Sequence, residues 1–105
     1  MGVYNIFLFI SDGPSVTLTK SEDSRTEMEI SCIVDSNPPS KVSWLKDGVL
    51  IDPENMSIVV SDRRNKHILR LIELDSETFG NYTCLAQNKL GKDEVMTNIA
   101  GMYVK

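Results

Sequence analysis

The sequence has 105 residues, the length of one ordinary domain with no room for a second, and its 41% hydrophobic and 25% charged residues are those of a folded globular chain. A net charge of −4 excludes a nucleic-acid reader, because phosphates are met by clustered Lys and Arg. Cys32, Cys84 and the single His67 are too few for a structural zinc site, so no metal or cofactor is expected, and no apolar run reaches the roughly 20 residues that span a bilayer.

Taken in chain order, Val3–Ile10 (VYNIFLFI) is apolar and rich in β-formers. It lacks the basic start and small-residue cleavage site of a secretory leader. Residues 1–13 therefore read as a leader, either non-native or an extra strand, which Ser11-Asp12-Gly13-Pro14 breaks from a domain over residues 14–105. If native, the leader is expected to add to an open sheet edge of a second copy. Met28, Ile30, Cys32 and Val34 recur with period two, the mark of a strand with one buried face. Asn37-Pro38-Pro39-Ser40 is a turn, and Lys41–Lys46 is a strand with Val42 and Trp44 on one face. Asp47-Gly48 signals a tight hairpin into a short strand at Val49–Ile51. Strands are expected at Met56–Ser61 and Lys66–Leu74, then one helical turn at Asp75–Phe79. Asn81–Gln87 follows with Tyr82, Cys84 and Ala86 on one face, and Asn88-Lys89-Leu90-Gly91 turns into a last strand from Asp93 to Val104. Turn signals about every ten residues, with no sustained helical stripe, make an all-β sandwich.

Cys32, Trp44 twelve residues later, and Tyr82 two residues before Cys84 resemble the core signature of the immunoglobulin fold. The resemblance extends through Trp44-Leu45-Lys46-Asp47-Gly48, Leu69-x-Leu71-x-x-Leu74 and the run Gly80–Gly91, and covers about Pro14 to Tyr103. The ending Ala86-Gln87-Asn88-Lys89-Leu90-Gly91 is similar to the I-set, with the flavour of the neural adhesion molecules of the IgLON and lachesin type. What the resemblance implies is a Greek-key, I-set sandwich with sheets A-B-E-D and A′-G-F-C and one inter-sheet disulfide between Cys32 and Cys84. It also implies core roles for Trp44 against that bridge, for Leu71, for Tyr82 as a hydroxyl cap on the E–F connection, and for Gly80 in a conformation that a side chain would penalise. Thr78 departs from the pattern, since the family usually carries there an Asp paired to an Arg.

A disulfide would place the chain in an oxidising compartment. Asn55-Met56-Ser57 and Asn81-Tyr82-Thr83 fit the acceptor pattern for N-glycosylation, one in a turn and one on the outward side of a strand. Leu45 and Leu85 each follow a core residue and should point outward, where Met96 would join them in an apolar binding face. His67 has no nucleophile motif beside it and no phosphate-binding glycine loop occurs, so the chain is not expected to be an enzyme. The expected function is an extracellular or cell-surface adhesion module that binds other proteins, another immunoglobulin domain included, without inserting in a membrane. The alternatives are a structural spacer of an intracellular titin-like chain and the ectodomain of a receptor kinase or phosphatase.

Overall fold

The computed structural model describes residues 6–20, 25–54 and 58–100. Asn55 and the start of the leader therefore lie outside the described residues. Eight strands run in the order β1 (Phe7–Lys20), β2 (Thr26–Asn37), β3 (Lys41–Lys46), β4 (Val49–Leu50), β5 (Ile58–Arg63), β6 (Lys66–Leu71), β7 (Gly80–Asn88) and β8 (Gly91–Ile99), with a 3-10 turn at Ser76–Thr78 before β7. They form two four-stranded sheets, β1-β2-β6-β5 and β4-β3-β7-β8, packed face to face as an immunoglobulin sandwich.

Strand alternation builds the core. From the first sheet Met28, Ile30, Cys32 and Val34 of β2 meet Leu69 and Leu71 of β6; from the second come Trp44, Tyr82, Cys84, Ala86 and Ile99. Cys32 and Cys84 are disulfide-bonded across the sheets, with Cα atoms 6.7 Å apart. Trp44 lies directly opposite Cys84 in the β3–β7 ladder, beside the bridge, and its buried indole Nε1 has no hydrogen-bond partner among the described residues.

Two features of β1 differ from the sequence expectation. Ser11–Pro14 does not end a strand; it is an irregularity inside one, where the β1–β2 register shifts between Ile10 and Asp12 and again before Ser15. Gly13 makes this possible. Its φ is 105°, and a Cβ there would stand 2.6 Å from the Ser31 carbonyl oxygen. Second, β1 never crosses to the other sheet as an A′ strand: Ser15–Lys20 stays on Thr26–Ser31 of β2. Because the bulge absorbs the break, β1 follows β2 along its whole length, and Phe7–Ile10 pairs within the chain with Val34–Asn37. Leu8 and Ile10 pack on the core while Phe7 and Phe9 face outward with rings 5.9 Å apart.

Side chains from β7 and β8 tie this first segment down. Asp93 is on the inward side of β8, and its carboxylate accepts the Ile10 N–H of the opposite sheet at 2.8 Å. Asn88 donates to the carbonyls of Phe7 and Pro38, both at 3.2 Å, while its own oxygen accepts from the Leu90 N–H of the hairpin.

Candidate binding face

The outward side of the β4-β3-β7-β8 sheet is set by two hairpins. In the first, Asp47 and Gly48 both have positive φ (50° and 81°), the geometry of a two-residue hairpin turn, so Leu45 must lie opposite Leu50. In the second, the Lys89-Leu90 turn places Thr83 opposite Met96. The β3–β7 ladder puts Leu45 opposite Thr83 and thereby joins them. The result is one row across four strands, Leu50–Leu45–Thr83–Met96, with Leu50 and Met96 65% and 62% exposed. Leu85 stands one row away, between Ser43 and Glu94. Of the three residues singled out from the sequence, the fold thus brings Leu45 and Met96 together across Thr83 and sets Leu85 beside them. Leu50 was missed, although the two-residue Asp47-Gly48 loop is itself the signal that places it.

Polar residues frame the row. On one flank Lys41, Gln87 and Lys92 share a cross-strand row; on the other, Asn98 Nδ2 donates to Asn81 Oδ1 at 2.7 Å. A shallow depression of about 610 Å³ opens there, with Leu45, Asn81, Thr83 and Met96 in its wall beside Asp47 and Glu94.

Asp47 fixes this corner. Its N–H donates to the Asn81 carbonyl at 2.8 Å and its carboxylate accepts the Asn81 N–H at 2.9 Å. Gly80, with φ of 144°, leaves room for that carboxylate, because a Cβ would come within 2.7 Å of it. Behind it, Tyr82 donates its hydroxyl to the Thr78 carbonyl at 2.8 Å. Thr78 is buried, accepts the Asp75 N–H through its hydroxyl at 2.9 Å, and so closes a capping box with Asp75, whose carboxylate takes the Glu77 N–H. A hydroxyl therefore organises the turn at the position where an acidic residue was expected. Burial, with Asp47 and then Asp75 adding repulsion, pushes the Tyr82 hydroxyl up to about 12. Lys46 reaches the Glu77 carbonyl from above, its ammonium 6.0 Å from the Tyr82 ring centre.

At the far end of the sandwich His67 lies opposite Cys32 rather than on an open sheet surface, with Nδ1 2.6 Å from a carboxylate oxygen of Asp62. Among the described residues no group of three or more His, Cys, Asp or Glu side chains is arranged to hold a metal ion. Among the described residues no helix is long and apolar enough to cross a membrane.

The family profile of the immunoglobulin I-set domain matches residues 13–100. The chain belongs to that family. The chain is 31% identical over 93 residues to sialic acid-binding Ig-like lectin 13 of Pan troglodytes, covering 84% of the chain and 22% of that protein. It is 26% identical over 102 residues to lachesin of Drosophila melanogaster, covering 90% and 28%. It is 39% identical over 64 residues to the muscle M-line assembly protein unc-89 of Caenorhabditis elegans, covering 60% and 1%. Among solved structures, the complex of a titin domain with an obscurin-like Ig domain aligns at a TM-score of 0.66 and 26% identity, over 70% of the chain and 74% of the other. The chain spans under a third of the length of these curated relatives. I-set domains are in general binding and structural modules, and nothing in this one indicates enzymatic activity.

Proposed function

We propose that this I-set domain is an extracellular, non-catalytic protein-binding module of a multidomain adhesion protein, and that its docking surface is the Leu50–Leu45–Thr83–Met96 row. The row itself is the observation that carries this reading: exposed Leu50 and Met96 and half-buried Leu45 stand in one line with Thr83 across four strands, framed by polar groups, which is how interaction sites differ from scattered surface leucines. The occupant proposed is a second immunoglobulin-like sheet face, a copy of this one included. The face carries both charge signs, with Lys41 and Lys92 on one flank and Asp47 by Asn81 on the other, which suits a partner of mixed charge such as a second copy. The complex of a titin domain with an obscurin-like Ig domain supports pairing between such modules. The Cys32–Cys84 disulfide and the likeness to lachesin support the oxidising side of the membrane.

Beads coated with the chain should cluster, and Leu45→Arg should disperse them without lowering the thermal midpoint. Dispersed wild-type beads would remove the proposed occupant. The second reading, a spacer in an intracellular muscle protein, is favoured by the likeness to unc-89. It is separated by taking the protein from its source cells and alkylating it in denaturant without reductant, since both sulfurs are buried in the folded chain. Adducts on both Cys32 and Cys84 would select the spacer, and none would select the secreted module.

A further inference from the structure

Asn81 is the acceptor of a sequence pattern that strand alternation turns to solvent, and the register puts it at the border of the proposed docking row. Thr83, the hydroxyl residue of the same pattern, stands in the row itself, between Leu45 and Met96. The backbone of Asn81 is clamped to Asp47 in both directions, and its carboxamide oxygen is held by Asn98. The amide nitrogen, the atom that takes a sugar, is outside these bonds. Beside it lies the depression of about 610 Å³, a volume in the range that small ligands occupy. Leu45 and Met96 line it with apolar groups, and Asp47 and Glu94 line it with acceptors.

We propose that Asn81 carries an N-linked glycan whose first sugar occupies this depression, so that a glycan on Asn81 and a protein docked on the row exclude one another. The ring's apolar side would cover Leu45 and Met96 while its hydroxyls donate to Asp47 and Glu94. In the modification step the Asn81 amide nitrogen attacks the anomeric carbon of an oligosaccharide carried on a lipid pyrophosphate. A nitrogen–carbon bond forms, the carbon–oxygen bond to pyrophosphate breaks, and the amide gives up one proton as the lipid pyrophosphate leaves. This inference rests on the extracellular reading and adds its regulation: copies with an empty Asn81 present the row to a partner, and modified copies do not.

The test uses the whole chain with Asn55→Gln, secreted from a glycosylating cell line, so that Asn81 is the one acceptor left. Enzymatic removal of the glycan in heavy-oxygen water should leave labelled aspartate at position 81. Before that removal, hydrogen peroxide should convert Met96 to its sulfoxide about threefold more slowly than in the additional Asn81→Gln variant, since oxidation follows exposure. Buried Met28 serves as the internal reference. Thr83→Val, which also abolishes the acceptor pattern, should free Met96 in the same way. A secreted, disulfide-bonded chain with an empty Asn81 would overturn this inference and leave the adhesion reading standing. An occupied Asn81 with unchanged Met96 oxidation would overturn it too. A chain that is never secreted as the oxidised fold would bring down both.

Discussion

At the residue scale, Tyr82 shows how one hydroxyl holds a loop. Its O–H bonds the Thr78 carbonyl inside the sandwich, where ionisation would place a buried charge beside Asp47 and Asp75. The folded chain therefore holds the phenol proton up to about 12, against about 10 in the unfolded chain. The resulting stabilisation is fully present below about pH 10 and is lost as pH rises toward 12, because in that interval the unfolded state releases the proton first. Ultraviolet titration should show a late tyrosine, and Tyr82→Phe should remove it. That variant should also cost about 1 to 2 kcal/mol by denaturant unfolding, since the Thr78 carbonyl is left without its partner. Tyr82 was legible in the sequence because it precedes Cys84 by two. The Asp47 clamp was not, because it joins residues 34 apart and depends on the missing side chain of Gly80.

At the element scale, β1 carries the largest difference between pattern and fold. Gly-Pro in a chain ordinarily ends a strand, yet here the partner β2 continues past it, and Gly13 lets the backbone bulge and resume. Phe7–Ile10 then contributes ladder hydrogen bonds, the packing of Leu8 and Ile10, an acceptor for Asn88 and an N–H donor to Asp93. Deleting residues 1–12 should lower the thermal midpoint by on the order of 10 °C, as the loss of about 2 kcal/mol does in a domain this small. Differential scanning calorimetry of the two chains checks this. An unchanged midpoint would mean that the segment is only an appendage.

At the scale of the whole molecule, two sheets meet over a core to which the described residues contribute eleven buried apolar side chains, and one covalent bond ties them. The bond closes a loop of 52 residues, for which chain entropy gives about 4 kcal/mol. Replacing both cysteines by Ala should therefore lower the unfolding free energy by about that much in urea titrations. The Tyr82 hydroxyl bond should survive, because β6, β7 and the turn between them position it without the bridge. The row Leu50–Leu45–Thr83–Met96 belongs to this scale as well, being assembled from three separate strand pairings.

The amino-acid order alone determined the strands after β1, and the buried faces of β2 and β7, because alternation at Met28–Val34 and Tyr82–Ala86 is a local property of the chain. Through its likeness to a family it also implied the Cys32–Cys84 bond. Only the tertiary structure decided that β1 keeps to β2, that Asp93 reaches Ile10 and that Leu50 completes a row ending at Met96. Each of these depends on which strands become neighbours and in what register. That choice is made by closure of long loops around a shared core, and no window of the sequence contains it.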